Sequence, residues 1–259
     1  KKFATAALAA MVLASVLSGC GGDKKKAADT GNTIKVGASF ELTGNVANYG
    51  KAILSGFKMA ADEANKTGIN GKKIEVIESD NKSEPSESGN SITKLVTQNK
   101  VVAIVGPATS GCVAAGAPIT ASNKIPHIAP SATAPGITVD NGKVREFMFR
   151  ACFIDPFQGQ VMATFANNTL KVKNVAILFD SSSDYSKGLA DVFQKTLEGH
   201  GGKIVAKEAF LAKDVDFKAS LTKLKATNPE AIYVPGYYEE VSKIIKQARE
   251  IGITVPMLG

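Results

Sequence analysis

Hydrophobic and polar positions follow two periodicities along the chain, and their alternation predicts a repeated strand–helix order. Short runs rich in β-branched residues predict strands, as in Thr33–Phe40 (TIKVGASF) and Asn174–Phe179 (NVAILF). Segments with apolar residues three or four positions apart predict amphipathic helices, as in Tyr49–Lys66 and Tyr237–Glu250. Strand–helix–strand repeats of this kind form parallel sheets with helices on both faces.

The strand–helix pattern runs twice, once before and once after the segment Phe149–Phe153. The second run opens with a helix, for which Asp155 is the predicted N-cap and the following proline the first helical residue. We therefore predict an α/β protein with two Rossmann-like lobes, residues 33–150 and 151–259. In open sheets of this kind, ligands bind beyond the carboxyl ends of the strands.

The stretch Val101–Gly111 (VVAIVGPATSG) shows how such a strand is expected to end. Val101–Val105 predicts a buried strand, which stops at the following Gly-Pro because proline has no N–H to donate. Hydroxyls on Thr109 and Ser110 then open the next helix. They could cap its free N–H groups, or those N–H groups could hold an anion, and this stretch alone favours neither role.

The residues at the predicted strand ends are mostly hydroxyl-bearing residues, glycines that expose the backbone, and tyrosines. No arginine falls at such an end, so we expect helix dipoles and N–H groups to neutralise a bound anion. His127 lies inside a predicted strand and His200 in a turn, so no nucleophile–base pair can be assembled. This pattern favours binding without catalysis. The strand-end residues are Thr43, Gly44, Tyr49, Thr109, Ser110, Ser131, Thr133, Asp180, Ser181–Ser183, Tyr185, Gly236, Tyr237 and Tyr238.

The hydroxyls and helix N-termini of the first lobe suit a carboxylate, and a zwitterion would also need an acid for its ammonium group. Asp180 and Asp184 are more typical of caps for the helix at Tyr185, and Asp155 is more typical of an N-cap than of a ligand contact. Tyr233, in the middle of a strand, is expected in the core.

Composition and charge narrow the function classes further. The 259 residues are 44% hydrophobic and 21% charged, with a net charge of +7 that comes almost entirely from dispersed lysines. Nucleic-acid binders cluster their basic residues with aromatics, so we expect no nucleic-acid partner. The two histidines and three cysteines show no metal-ligand spacing. We predict neither a metal nor a cofactor.

The amino terminus has the features of an export signal. Lys1 and Lys2 precede the apolar run Phe3–Leu17, which is short for a membrane span, and the sequence Leu-Ser-Gly-Cys ends at Cys20. This ending resembles the bacterial lipobox, which implies cleavage before Cys20 and lipidation of its thiol. We predict a lipoprotein signal at residues 1–20 and a flexible tether at 21–32. An exported protein works without cytosolic ATP or NAD(P)H, which argues against kinases and dehydrogenases.

Several segments together resemble one family, in order and in spacing, from Thr33 to the last residue. The family is the type I periplasmic binding proteins of ABC importers, in the branched-chain amino-acid (leucine/isoleucine/valine) group. No single motif decides the resemblance, but the set is specific. The segments are GNVANYG, VGPATSG, IAPSATAPGIT, FRACFIDPFQG and YVPGYYEE.

The resemblance implies the residues of a ligand site. Ser110 and Thr133 match the hydroxyls that bind the ligand α-carboxylate, and Ser131 and Ala132 belong to the backbone segment that assists them. Tyr49, Tyr185 and Tyr237 match aromatic contacts around the ligand. The family's acid for the α-ammonium follows the final strand, whereas this sequence stops at Gly259, so we expect part of the second lobe to be missing.

The resemblance also implies a function: an extracytoplasmic receptor, not an enzyme, that delivers a small amino acid to ABC permease subunits. We expect a monomer held by its lipid anchor in the periplasm or at the outer face of the cytoplasmic membrane. Alternatives are a sensor domain of the same fold with a signalling partner, or a receptor for another small carboxylate or amide. A third alternative is an exported hydrolase, but the sequence shows no recognisable general base for its nucleophile. Cys112 and Cys152 could form a disulfide or remain free thiols.

Overall fold

The computed structural model describes residues 31–259, and residues Ile34–Gly259 form one compact unit. The predicted signal segment, Cys20 and the predicted tether up to residue 30 lie outside the described residues. The strands are β1 (Thr33–Phe40), β2 (Lys73–Asp80), β3 (Ala103–Val105), β4 (His127–Ala129), β5 (Val139–Asp140), β6 (Lys143–Val144), β7 (Met148–Arg150), β8 (Asn174–Asp180), β9 (Lys203–Phe210), β10 (Ala231–Tyr233) and β11 (Met257–Leu258).

Helices follow most strands and cover the sheets. They are α1 (Ala47–Thr67), α2 (Pro85–Thr97), α3 (Ser110–Ser122), α4 (Asp155–Thr164), α5 (Asp184–Gly199), α6 (Lys218–Ala226) and α7 (Tyr238–Glu250), with a 3-10 turn at Pro135–Ile137 and a π-helical turn at Phe165–Thr169. None of the helices in this described part is long and apolar enough to cross a membrane.

Two parallel sheets organise the fold, as the repeated pattern predicts, and the structure shows that both have the same strand order. The first has the order β2-β1-β3-β4-β7 and the second β9-β8-β10-β11. The pairs β1–β3, β3–β4, β4–β7, β8–β9, β8–β10 and β10–β11 are parallel. In each sheet the order reverses between the first and third strands in sequence, at β1/β3 and at β8/β10. These are the points where open α/β sheets bind ligands.

Apolar side chains cover both faces of the second sheet, and this burial explains the continuous apolar run of β8 in the sequence. Ile177 and Tyr233 pack with Phe193 of α5 on one face of the second sheet, whereas Leu178 and Ile232 pack with Leu221 of α6 on the other. Tyr233 is 1% exposed and its ring stacks on Phe193 at 4.0 Å, which confirms its predicted core position.

Three details of the predicted elements are wrong. The apolar residues of Ile253–Leu258 predict one more strand, but only Met257–Leu258 forms it, and residues 253–256 are irregular. Apolar spacing in α7 predicts a buried face of Val241, Ile244, Ile245 and Ala248, but Ile245 is 38% exposed, and the buried residues are Glu240, Ile244 and Ala248. Asp155 is not an N-cap, because Ile154 occupies that position and no side chain caps α4.

Candidate ligand-binding cleft

A cleft of about 700 Å³ lies between the two sheets. This volume suits a small-molecule ligand. The carboxyl ends of the central strands of both sheets supply its walls, so both points of strand reversal face the same space. Among the lining residues, Asn45 and Val46 follow β1, Thr109–Cys112 follow β3, Ser182–Asp184 follow β8, and Tyr237 and Glu240 follow β10.

The wall from the first lobe is built on the N-terminus of α3. Glu41, which directly follows β1 and is fully buried, accepts hydrogen bonds from the N–H groups of Ala108 and Thr109 and from the Thr109 hydroxyl, at 2.7–3.0 Å. Thr109 is the N-cap residue, but its hydroxyl bonds Glu41 instead of the helix. The first-turn N–H groups from Ser110 onward have no carbonyl partner within the helix, so they remain suited to an anion.

The loop after β4 contacts this helix N-terminus through two hydroxyls. Ser131 Oγ donates to the Ala108 carbonyl at 2.7 Å, and Ser110 Oγ accepts from the Ala134 N–H at 3.2 Å. Thr133 lies between these contacts in sequence and is 7% exposed. Loop and helix therefore form one hydroxyl-bearing wall.

Arg150 is the last residue of β7, so the prediction that no arginine falls at a strand end is wrong. Its guanidinium donates to the carbonyls of Ala132 and Ala134 at 3.0 and 2.9 Å and to the Thr138 hydroxyl at 3.0 Å. These bonds hold the loop after β4 in place. Arg150 therefore shapes the wall by positioning backbone.

Three tyrosines from the two lobes form one aromatic cluster. Tyr185 of α5 and Tyr237 stack in parallel at 5.2 Å, and Tyr49 of α1 meets Tyr237 edge-on at 6.1 Å. Burial raises the pKa of Tyr237 well above its ordinary value, with a smaller contribution from Tyr185. The Tyr237 hydroxyl therefore stays protonated at neutral pH and can donate a hydrogen bond.

Polar contacts join the lobes across the cleft. The Tyr238 hydroxyl accepts from the Asn48 N–H at 3.2 Å, and Lys213 forms an ion pair with Glu84. Glu240 is buried, accepts from the Lys213 N–H at 2.9 Å and is 3.5 Å from the Asn45 amide. The two lobes are therefore in contact across the cleft.

Asp155 begins α4 at the junction between the lobes and is 1% exposed. Its N–H donates to the Thr133 carbonyl at 3.0 Å, but neither carboxylate oxygen has a hydrogen-bond partner. Burial raises the pKa of this carboxyl, and the nearby Thr133 hydroxyl and Arg150 guanidinium partly oppose the rise.

Of the residues predicted for the ligand site, Ser110 and Tyr237 line the cleft directly. Tyr49 and Tyr185 contact Tyr237, and the segment from Ser131 to Thr133 packs behind Ser110. The structure thus brings these residues into one neighbourhood, and their contacts with a ligand stay a prediction. The strand-end pattern did not single out Glu41 or Glu240, which also belong to this neighbourhood.

The described residues contain neither a metal-ligand cluster nor a disulfide between Cys112 and Cys152. Within residues 31–259, no three or more His, Cys, Asp and Glu side chains are grouped so as to hold a metal ion. Cys112 and Cys152 are both free thiols, and burial raises the pKa of Cys112 to about 12, which keeps it protonated. His127 is buried in β4, as predicted.

The fold and the cleft together define a two-lobed α/β protein with one shared cleft between its lobes. The family model for periplasmic binding proteins matches residues 33–259, so the chain belongs to this family.

Relatives of the chain carry matching names. The "Leu/Ile/Val-binding protein BraC3" of Rhizobium johnstonii is 33% identical over 227 residues, which are 87% of this chain and 60% of the relative. The "Leucine-, isoleucine-, valine-, threonine-, and alanine-binding protein" of Pseudomonas aeruginosa is 32% identical over 88% of this chain and 60% of its own length. The chain therefore spans about 60% of the length of these curated relatives.

A solved structure agrees with the fold. The branched-chain amino acid transporter substrate binding protein LivJ from Streptococcus pneumoniae, in complex with isoleucine, is 46% identical to this chain with a TM-score of 0.81. The match covers 87% of this chain and 63% of that structure.

Proposed function

We propose that the protein is the extracytoplasmic receptor of an ABC importer, and that it binds a branched-chain amino acid without altering it. The observation that carries this proposal is the cleft at the two points of strand reversal, with hydroxyls and a helix N-terminus on one wall and Tyr237 on the other. The names of the relatives, which are Leu/Ile/Val-binding proteins, support the same ligand class.

In this proposal the ligand carboxylate binds at the N-terminus of α3. The Ser110 and Thr133 hydroxyls and the backbone from Ser131 to Ala132 surround it, because N–H groups and hydroxyls are the donors that a carboxylate needs. Tyr49, Tyr185 and Tyr237 enclose the rest of the ligand. The rings supply apolar area, and closure of the lobes excludes water from the charged groups.

The delivery role extends the proposal to parts of the protein beyond the cleft. The receptor acts as a monomer, and a lipid on Cys20 holds it at the membrane surface. There it passes its ligand to permease subunits. The export signal in the sequence supports this location. Mass spectrometry of the mature protein tests the anchor, because a lipidated N-terminal Cys20 has a characteristic mass.

Calorimetric titration with leucine, isoleucine and valine tests the ligand class. We expect saturable binding at one site and no chemical change in the recovered ligand. The protein for this measurement is expressed from its complete gene, and 4-methylpentanoate, which is leucine without its ammonium group, serves as a comparison. Absence of heat and of a thermal shift with all three amino acids would refute the proposal.

The substitution Thr133→Ala tests the carboxylate contact. Removing the hydroxyl leaves a buried carboxylate oxygen without a donor, so we expect binding to weaken by roughly 1–3 kcal/mol. The matched control is Thr93→Ala on the exposed face of α2, where the hydroxyl bonds only its own helix. An unchanged dissociation constant in Thr133→Ala would remove this residue from the site.

A further inference from the structure

The loop after β1, residues 41–46, is held in shape by Asp80, the last residue of β2. The Asp80 carboxylate accepts hydrogen bonds from the N–H groups of Leu42, Thr43 and Lys82, at 2.8–3.2 Å, and from the Thr43 hydroxyl at 2.6 Å. Partial burial raises the pKa of this carboxyl, but the hydrogen bonds outweigh that effect and hold the pKa below its ordinary value. Asp80 therefore stays charged at neutral pH and joins the loop after β1 to the loop after β2.

Ser83 links the same two loops a second time. Its hydroxyl donates to the Thr43 carbonyl at 2.7 Å and accepts from the Val46 N–H at 3.3 Å. Lys82 and Ser83 both have a left-handed backbone, with φ of 57° and 62°, which residues other than glycine rarely adopt. On the facing loop, a Cβ added at Gly44 would be 2.3 Å from the Lys82 carbonyl oxygen. Strained backbone of this kind persists where the surrounding structure enforces it, and it often lies at functional sites.

The braced loop leads directly into residues that meet the second lobe. The Asn45 amide lies 3.5 Å from the Glu240 carboxylate, and the Asn48 N–H donates to the Tyr238 hydroxyl at 3.2 Å. The Tyr49 ring packs edge-on against the Tyr238 ring, with 5.0 Å between their centroids. Within residues 31–259, the hydrogen bonds of the Asp80 carboxylate all stay inside the first lobe. Any effect of Asp80 on closure must therefore pass through this loop.

We propose that Asp80 is a positioning residue for closure of the cleft, because it holds the loop after β1 in the shape that meets the second lobe. Without the brace the loop would adopt other conformations, and the closed state would have to order it again. The closing equilibrium would then shift toward the open form, and the apparent affinity for every ligand would fall by one factor. This inference rests on the proposed function, since it concerns closure around a bound amino acid.

The first measurement is calorimetric titration of Asp80→Ala with leucine, isoleucine and valine. We expect all three to bind roughly 5- to 50-fold more weakly, within the range typical of coupling between separate sites, and in unchanged ratios. Thr43→Val is a milder variant, because it removes only the 2.6 Å bond between the Thr43 hydroxyl and Asp80. It should give a smaller loss of the same kind, and it decides the question if Asp80→Ala does not fold.

Coupling to Tyr238 separates positioning from a general loss of stability. Asp80 and Tyr238 share no hydrogen bond, so independent effects on leucine affinity should simply add. If Asp80 positions the loop that contacts Tyr238, that contact is already weakened in Asp80→Ala. We therefore expect Tyr238→Phe to cost less than about 2-fold in the Asp80→Ala or Thr43→Val background, compared with roughly 3- to 10-fold in the original protein.

Glu230→Ala provides a matched control in the second lobe. The Glu230 carboxylate also braces backbone, because it accepts from the N–H groups of Lys173 and Asn174, both at 2.7 Å. It does so at the amino end of β8, whereas the cleft lies at the carboxyl ends of the strands. We expect Glu230→Ala to lower the thermal midpoint, to leave all three affinities unchanged and to keep the full effect of Tyr238→Phe.

Three results would overturn the inference. They are unchanged affinities in Asp80→Ala and Thr43→Val, an effect of Tyr238→Phe that is the same with and without the brace, and a change in the ratios between ligands. The last result would mean that the loop recognises the ligand itself. If the unaltered protein bound no amino acid, the proposed function would fail instead, so the two failures are distinguishable.

Discussion

His127 is a fully buried imidazole that joins the turn after β3 to helix α3. Its Nε2–H donates to the Gly106 carbonyl at 2.5 Å, and its Nδ1 is 3.2 Å from the Thr120 hydroxyl. Burial lowers the pKa of His127 to about 4, partly opposed by the bond to Gly106. The folded protein therefore holds this ring neutral where the unfolded chain would protonate it.

Acid should destabilise the protein through His127. Between the unfolded pKa of about 6.5 and the folded value of about 4, only the unfolded state takes up the proton, so stability falls as pH falls through this window. From pH 7 to pH 5 the loss from this residue is about 2 kcal/mol.

Urea unfolding at pH 7 and at pH 5 gives the change in the free energy of unfolding for each protein. The loss due to His127 is this change in the original protein minus the change in His127→Gln. The exposed His200 provides the control, and His200→Gln should keep the full pH dependence. An equal pH dependence in the protein and in His127→Gln would contradict the prediction.

Some residues of the site could be predicted from the sequence, and others could not. Ser110, Thr133 and the tyrosines could be chosen from their places after predicted strands, because strand ends converge in a parallel sheet. Glu41 follows β1 in the same way, but nothing in the sequence shows that its carboxylate is buried against another loop. Asp155 before proline is typical of a helix start, and only the structure shows that its side chain caps nothing.

At the scale of elements, helix type and order were predictable and helix rotation was less so. Apolar spacing in α1 predicts a buried face of Ile53, Phe57, Ala60, Ala61 and Ala64, but of these only Ala61 is buried, together with Gly50 and Leu54. The difference comes from Gly50, where the helix approaches the Glu41 backbone so closely that an added Cβ would be 2.2 Å from the Glu41 carbonyl oxygen. The spacing of apolar residues does not reveal this contact, because glycine has no side chain that would contribute to the pattern.

Gly50→Ala should therefore lower the free energy of unfolding by roughly 1–3 kcal/mol, because the helix must move away from a backbone atom. Gly56→Ala is a matched control in the same helix, since no atom lies within 4 Å of an added Cβ there. There we expect a gain of up to about 1 kcal/mol from the better helix propensity of alanine. Urea unfolding of both variants measures the contrast, and equal effects would contradict close packing at Gly50.

At the scale of the whole molecule, two sheets of the same order and one shared cleft followed from the repeated pattern. The contacts that join the lobes did not, because they pair residues far apart in sequence. Asn48 with Tyr238 and Glu84 with Lys213 are examples, and no periodicity links such positions. These contacts form only when the lobes are together, so they favour closure without needing to touch the ligand.

Contacts between the lobes that do not touch the ligand affect the affinity of the protein and leave its selectivity unchanged. Contacts between the lobes change the closing equilibrium, and a change in that equilibrium alters the apparent affinity for every ligand by the same factor. Tyr238→Phe, which removes the hydroxyl that accepts from Asn48, should weaken leucine, isoleucine and valine alike, by roughly 3- to 10-fold, as expected for one hydrogen bond. Lys213→Gln should act in the same direction, through the ion pair with Glu84.

Lys207→Gln tests whether such losses belong to closure, because Lys207 pairs with Asp191 inside one lobe and should change no affinity. Calorimetry with the three amino acids gives the ratios, and small-angle scattering of the free protein shows whether Tyr238→Phe shifts it toward a more open form. A change in the ratios between ligands would mean that Tyr238 contacts the ligand itself. In that case closure and recognition would share residues, and the cleft would select its ligand partly through the contacts that shut it.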